Sequence, residues 1–213
     1  MGALAVGGVS LPALDAVTLD AYGTLVELDD HVGRLRRALA AAGVERDEHV
    51  VEQAFLHEVE HYARHKCGAH DAAALAELRR DCAHVFVDAL GADIDFTDGF
   101  AGAVAFRPLP GVLDALGELR ARGLALAAVS NWDCSLGERL AEAGIELDVT
   151  VSCAEAGAAK PDPAIFAVAL DRLGVEPGRT LHVGDSAEDV EGARAAGLHF
   201  AQAPLTEVVG AWR

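Results

Sequence analysis

Four side chains that can take part in catalysis stand beside apolar segments of this sequence. Asp20 ends an apolar run that begins at Val17, Ser130 and Asp185 follow two later runs, and Lys160 lies in the loop beyond another. A carboxylate at the end of a buried strand can be a nucleophile, a metal ligand or both. Lysine suits a point-charge contact with phosphate, and two carboxylates beside an anionic substrate repel one another unless a divalent cation lies between them. These residue types therefore indicate a catalytic or metal-binding site.

The segment after Asp20 has the composition of a tight turn. Gly23 supplies the backbone freedom that such a turn needs, and the hydroxyl of Thr24 is expected to tie the turn together. A lone aspartate here would be better explained as the end of a strand. The three other reactive groups make the functional interpretation the better one.

Strands and helices alternate along the second half of the chain. A first strand is predicted over residues 14–20. Later strands are predicted over 124–129, 147–152, 180–183 and 198–202, with helices over 110–123, 135–143, 161–173 and 186–196. This alternation is typical of an α/β fold with a parallel sheet covered on both faces. Ligands of such sheets bind outside the carboxyl ends of the strands, so we expect the four reactive side chains to converge there.

Residues 27–107 have the periodicity of helices and little strand signal. Helices are predicted over residues 31–42, 49–66, 71–90 and 97–105, and the first three each end at a glycine. So long a helical stretch between two strands exceeds an ordinary connection and predicts an insert. The expected domains are a core of residues 1–26 and 108–213 and a helical domain of residues 27–107.

Four short motifs make the chain similar to a known family. Asp-x-x-x-Thr at Asp20, Ser-Asn at Ser130, Lys-Pro at Lys160 and Gly-Asp-x-x-x-Asp at Gly184 resemble the motifs of the haloacid dehalogenase-like (HAD) superfamily. The helical insert resembles the cap of its first subfamily. The resemblance covers essentially the whole chain and implies a Rossmann-like parallel sheet with an inserted α-helical cap. It also implies a covalent aspartyl intermediate and, usually, phosphoryl transfer with Mg²⁺.

The resemblance assigns roles to individual residues. Asp20 would be the nucleophile and a metal ligand, Ser130 would hydrogen-bond the transferring group, and Lys160 would neutralise charge between nucleophile and substrate. The implied catalytic residues are Asp20, Tyr22, Thr24, Ser130, Asn131 and Lys160. The implied metal-binding residues are Asp20, Tyr22 and Asp185, supported by Asp189.

Tyr22 departs from the pattern of the family's phosphatases, which carry a second aspartate at this position as general acid and base. Loss of a general acid costs about 10²- to 10⁴-fold for a leaving group that needs a proton. A phenol with an ordinary pKa of about 10 is a poor substitute near neutral pH. We therefore expect a substrate whose leaving group needs no protonation, or a slow enzyme.

The same first motif resembles that of the 2-haloacid dehalogenases, whose halide leaves unprotonated. That family lacks paired metal carboxylates, its cap arginine falls on Leu56 here, and its tyrosine after Lys-Pro falls on Phe166. The metal carboxylates favour a Mg²⁺-dependent phosphatase of a small phosphorylated metabolite. The alternatives are a 2-haloacid dehalogenase and a weakly active protein that binds a phosphorylated ligand.

A rival metal motif lies in the insert. Residues 57–61 read His-Glu-Val-Glu-His and fit H-E-x-x-H, which on a helix can hold Zn²⁺. The longer form of the motif requires Gly and His where this chain has Arg64 and Cys67. The better interpretation is a polar helix face beside the substrate cleft.

Composition limits the partners. The 213 residues carry a formal charge of −17, which disfavours nucleic acid and anionic membranes as partners. The resemblance implies a small anionic, phosphorylated substrate as the partner. The insert is more basic than the core, and one or two of its cations are expected to grip the substrate; the candidates are Arg34, Arg36, Arg37, Arg64, Lys66, Arg79 and Arg80.

Cysteine usage and the first residues bear on the compartment. The four cysteines, Cys67, Cys82, Cys134 and Cys153, form no C-x-x-C pair and are expected to be reduced thiols of a cytoplasmic protein. Residues 1–10 are apolar but lack a basic segment, so we expect a frayed terminus rather than a signal peptide.

Overall fold

The computed structural model describes residues 13–212 in full and, before them, the backbone of two short antiparallel strands, β1 (Ala5–Val6) and β2 (Val9–Ser10). The predictions made for residues 1–10 lie largely outside the described residues. Within the described part of the chain, no helix combines the length and the apolarity that a bilayer span requires.

A five-stranded parallel sheet forms the centre of the fold. Its order is β7 (Val149–Ser152), β6 (Ala125–Ser130), β3 (Ala16–Leu19), β8 (Thr180–Gly184) and β9 (His199–Gln202). Every residue of β3 is buried, because this strand pairs with β6 on one side and β8 on the other. The chain runs outward to β7 and then returns across β3 to β8. The carboxyl ends of β6, β3 and β8 therefore flank a topological switch point, as the sequence predicts.

Helices cover both faces of this sheet. They are α5 (Val112–Ala121), α6 (Leu136–Glu142), α7 (Cys153–Ala156), α8 (Ala164–Leu173), α9 (Ala187–Ala195) and α10 (Leu205–Gly210). One apolar cluster joins α5, α6 and α10 to the inner residues of β3, including Leu19. A second cluster around Phe166 joins α8 and α9 to the opposite face. The expected α/β architecture is confirmed.

The helical insert has an apolar cluster of its own. The helices of the insert are α1 (His31–Ala41), α2 (Glu48–His65), α3 (Ala72–Ala89) and α4 (Thr97–Ala103). Phe86 and Leu35 are fully buried among these helices. The predicted helices agree with the observed ones to within two residues at each end. The division into two domains stays a prediction, although these separate apolar clusters are consistent with it.

Two short strands, which the sequence analysis missed, connect the insert to the core. They are β4 (Val26–Leu28) and β5 (Phe106–Pro108), paired antiparallel with Leu28 opposite Phe106. Three residues are too few to establish an alternating pattern, and a proline within a run argues against a strand. This ribbon contains the predicted domain boundaries.

The prediction of four reduced cysteines is wrong. Cys67, just after α2 in the insert, forms a disulfide with Cys153 at the start of α7, with 5.2 Å between their Cα atoms. Cys82 and Cys134 are free. The paired residues are 86 positions apart, so only the contact between insert and core brings them together. Spacing along the chain carries no sign of such a contact.

Candidate active site

Three strand ends and one loop bring the predicted reactive groups together. Ser130 Oγ, at the end of β6, donates a hydrogen bond of 2.9 Å to Oδ1 of Asp20, which follows β3. Lys160 Nζ lies 2.5 Å from the same oxygen. Asp20 is only 7% exposed, so both contacts form largely out of water, where they are stronger. Oδ2 of Asp20 accepts no hydrogen bond from the described residues and keeps its lone pairs for reaction.

Asn131 holds the backbone of Lys160 in place. Its Oδ1 accepts a hydrogen bond of 2.7 Å from the amide of Lys160, and its Nδ2 donates across 3.0 Å to the carbonyl of the same residue. Nδ2 also donates to Glu188 at the start of α9. These two hydrogen bonds, between the side-chain amide of Asn131 and the backbone of Lys160, hold the loop in place. The geometry places Asn131 as a support of the lysine rather than at the reacting atoms.

Asp189 holds the other side of Lys160. Its Oδ1 lies 2.5 Å from Lys160 Nζ, and its Oδ2 accepts from the amide and the hydroxyl of Ser186 in a capping box at the start of α9. Burial alone would raise the pKa of Asp189. The hydrogen bonds from His182 and Ser186 and the charge of Lys160 outweigh burial and hold this pKa well below its usual range. Asp189 is therefore a permanent anion that positions the lysine.

His182 is a site residue that the sequence analysis missed. It lies fully buried on β8, with Nε2 3.0 Å from Asp189 Oδ1 and Nδ1 2.9 Å from the hydroxyl of Thr18 on β3. Burial lowers the pKa of His182. A carboxylate only accepts, so the partners assign the proton to Nε2 and make the Thr18 hydroxyl the donor to Nδ1. A histidine inside an apolar strand, three residues before Asp185, was the available signal.

The residues at the strand ends fit a divalent cation. Oxygens of Asp20, Asp185 and Asp189 all lie within 4.8 Å of one another. Burial and the charges of Asp20 and Asp189 raise the pKa of Asp185, and a cation would relieve that repulsion. Gly23, with φ 83°, is required beside them because a Cβ there would overlap the Asp185 carboxylate. Both oxygens of Asp189 already accept hydrogen bonds, Oδ1 from Lys160 and Oδ2 from Ser186, which leaves Asp185 and Oδ2 of Asp20 as the available ligands.

Thr24 and Tyr22 lie where the sequence places them, but in different environments. Thr24 is buried, and its hydroxyl has no hydrogen-bond partner among the described residues. The expectation that this hydroxyl ties the turn is wrong, because backbone bonds to the carbonyl of Ala21 close it. Tyr22 is 50% exposed and lines the cavity beside Asp20, within reach of a bound substrate.

A cavity of about 420 Å³ extends from Asp20 and Lys160 into the insert. Two of the basic candidates of the insert, Lys66 and Arg79, line it, and their contact with substrate stays a prediction. Burial lowers the pKa of Lys66, and the charges of Glu188 and Asp20 oppose that shift. Four other candidates form ion pairs with acids on the surface instead: Arg34, Arg36, Arg37 and Arg64.

The insert and the core also contact one another directly. Tyr62 on α2 donates a hydrogen bond of 2.9 Å to Asp133, and the amide of Cys134 donates to the carbonyl of Ala69. The H-E-x-x-H segment lies within α2. Within residues 13–212, the group of three metal-ligating side chains is the aspartate cluster, so the zinc interpretation gains no third ligand.

Curated proteins are similar in sequence to part of this chain. The haloacid dehalogenase-like hydrolase domain-containing protein 3 of Bos taurus is 36% identical over 138 residues, which are 63% of this chain and 49% of that protein. A phosphoglycolate phosphatase of Rhodospirillum rubrum is 38% identical over 134 residues, 61% of this chain and 50% of that one. The chain thus spans about half the length of these curated relatives.

A solved structure extends the likeness to the fold. The L-2-haloacid dehalogenase of Xanthobacter autotrophicus, with chloropropionic acid covalently bound, superposes with a TM-score of 0.63 at 26% identity, covering 89% of this chain and 77% of that one. The family profile of the haloacid dehalogenase-like hydrolases matches residues 14–197, from before β3 to the glycine that follows α9. This chain belongs to the haloacid dehalogenase-like hydrolases.

Proposed function

We propose that the protein is a Mg²⁺-dependent phosphohydrolase that acts on a small phosphorylated metabolite through Asp20. The observation that carries the proposal is the pair of carboxylates, Asp20 and Asp185, beside a lysine whose charge is already matched by Asp189. A metal-free dehalogenase has no need of the second carboxylate. A phosphoryl group brings two negative charges that a cation between these carboxylates would offset.

The proposed reaction has two steps. The carboxylate of Asp20 attacks phosphorus, the bond to the leaving oxygen breaks, and an aspartyl phosphate forms. Water then attacks that phosphorus and releases inorganic phosphate and the Asp20 carboxylate. Ser130 and Lys160 hold the nucleophile and balance the charge of the transferring group, and the bound ion supplies further charge neutralisation.

The leaving group receives no proton from a carboxylic acid at position 22. The side chain at that position is the half-exposed phenol of Tyr22 instead. We therefore propose that the preferred leaving groups are those that depart as stable anions, such as phenolates and carboxylates.

A 2-haloacid dehalogenase is the second candidate, favoured by Tyr22 and by the likeness to the Xanthobacter autotrophicus enzyme. A panel of phosphate esters and 2-haloacids, each assayed with Mg²⁺ and with chelator, distinguishes them. We expect phosphate release that chelator abolishes. Halide release indifferent to chelator would favour the second candidate, and binding of phosphate esters without turnover would favour a weakly active ligand-binding protein.

The cytoplasmic location and the absence of nucleic acid and membrane partners stay part of this proposal. The Cys67–Cys153 disulfide counts against one premise of that location, because disulfides are rare in reducing compartments.

A further inference from the structure

The cavity contains a buried carboxyl group that the proposed chemistry does not use. Glu58 on α2 is 5% exposed and lines the cavity. Burial raises its pKa, the thiol of Cys82 on α3, a weak hydrogen-bonding group, is the neighbour that lowers it, and Glu58 forms no ion pair within residues 13–212. A buried carboxyl with so little compensation is costly to keep, which makes it a candidate for contact with a ligand.

Much of the cavity lining that the insert provides is hydrocarbon. Apolar side chains of the insert line the cavity, among them Phe55, Leu75, Leu78, Phe100 and Val104. The rings of Phe55 and Phe100 lie 6.5 Å apart by their centroids. Walls of this kind favour an apolar, preferably aromatic, organic group over the polar carbon skeleton of a sugar or an amino acid.

The position of Glu58 along α2 bears on the length of a ligand that could bind in the cavity. Lys66, just past the end of α2, lies close enough to the reaction centre for the charges of Asp20 and Lys160 to shift its pKa. Eight residues separate Glu58 from Lys66, which corresponds to roughly 12 Å along a helix axis. Glu58 and Asp20 line the same cavity, so a ligand bound at Asp20 can extend to Glu58.

We propose that the substrate is an aryl phosphate whose ring carries a hydroxyl-terminated substituent, and that Glu58 hydrogen-bonds this hydroxyl. The inference rests on the proposed phosphohydrolase function for its phosphoryl end, and Tyr22 agrees with it because a phenolate leaves without a proton. Burial raises the pKa of Glu58 to about 7. The neutral carboxyl present below that pH can both donate to and accept from a hydroxyl.

Matched substrate pairs test this contact. The hydroxyl-bearing members are 4-(hydroxymethyl)-, 4-(2-hydroxyethyl)- and 4-(3-hydroxypropyl)phenyl phosphate, and their partners are the ethyl, propyl and butyl compounds of equal length. The ratio of kcat/KM within each pair is measured with Mg²⁺ for the native protein and for Glu58→Leu and Glu58→Gln. Glu60→Gln is the control, because Glu60 is exposed on the same helix.

We expect the native protein to prefer the hydroxyl compound of at least one pair. Glu58→Leu should change that ratio about tenfold in favour of the alkyl compound, whereas Glu58→Gln keeps most of the preference and Glu60→Gln keeps all of it. A change below twofold in Glu58→Leu, with a folded variant, overturns the proposal.

A binding measurement separates this inference from the proposed function. Calorimetric titration compares 4-(2-hydroxyethyl)phenol with 4-propylphenol on the native protein and on Glu58→Leu, and needs no turnover. If no phosphate ester is hydrolysed but the native protein prefers the hydroxyl compound and Glu58→Leu does not, the proposed function fails and the role of Glu58 stands. Equal affinities in both proteins overturn that role.

Discussion

His182 donates a hydrogen bond of 3.0 Å from Nε2 to Oδ1 of Asp189, and both side chains are fully buried. The contact is one step in a continuous chain from the hydroxyl of Thr18 through His182, Asp189 and Lys160 to Asp20. Residues in the interior of the sheet thereby orient the Asp189 carboxylate that contacts Lys160.

Substitution of His182 tests this chain. His182→Leu removes the donor to Asp189, so the lysine loses its fixed position; we expect kcat to fall about 10- to 100-fold with a smaller change in KM. His182→Gln, whose amide can replace Nε2, should recover part of the loss. An unchanged kcat in a folded His182→Leu variant would show that the contact serves stability alone.

Asp185→Asn tests the cation. We expect Mg²⁺ at about 100 times its Kd to stabilise the native protein by about 2.7 kcal/mol, and the variant to lose this increment because a metal carboxylate is gone. Thermal unfolding with and without Mg²⁺ measures it. Asp171→Asn, an exposed aspartate on α8, is the matched control. Equal Mg²⁺ stabilisation and activity in Asp185→Asn would refute the metal site.

Tyr22→Asp tests the missing general acid. The native enzyme should hydrolyse 4-nitrophenyl phosphate far faster than ethyl phosphate, because only the second leaving group needs a proton. The new carboxyl should raise the ethyl phosphate rate by about 10²-fold and change the nitrophenyl rate much less. Tyr22→Phe should give no such rescue. Equal harm to both substrates in Tyr22→Asp would instead make Tyr22 a residue that orients the substrate, and would favour the dehalogenase.

The raised pKa of Glu58 predicts a dependence of stability on pH. Its ordinary value of 4.5 applies to the unfolded chain and about 7 to the folded one. Between these values the unfolded chain has released the proton that the folded chain still holds, so stability falls as pH rises. We expect the free energy of unfolding, measured against Glu58→Gln, to decrease by about 3 kcal/mol between pH 4.5 and 7. A flat difference across this range would show that Glu58 titrates normally.

Reduction of the Cys67–Cys153 disulfide should loosen the insert. A cross-link between residues 86 positions apart stabilises by about 4 kcal/mol in the chain-entropy account. We expect Cys67→Ser to lower the Tm and to speed proteolysis within residues 31–103. Reductant should have the same effects on the native protein but no further effect on Cys67→Ser. Cys134→Ser is the control. If the Tm of the native protein is unchanged by reductant, the cross-link contributes nothing to the folded state.

The sequence predicts the site well wherever a rule about strand ends applies. Asp20, Ser130 and Asp185 follow strands of one parallel sheet, so their meeting follows from topology. The glycines that follow helices determine most helix boundaries, because glycine readily adopts the left-handed conformation that ends a helix.

Features that depend on tertiary contact escaped prediction. His182 has the sequence context of a core residue, and only the structure shows Asp189 in front of it. The rotation of α2 decides that Lys66 reaches the cavity while Arg64 pairs with Glu60 on the surface. The periodicity of the helix leaves such a choice open when polar residues lie on several faces.

The ribbon of β4 and β5 places both ends of the insert side by side. Leu28 and Phe106 are cross-strand partners, so the chain leaves the core and returns to it about 5 Å away. A short turn can span such a gap, which means that residues 29–105 can be exchanged for another module without moving the strands that carry the aspartates. The substrate specificity can therefore change through a different insert at this junction, while the core strands keep their reactive side chains.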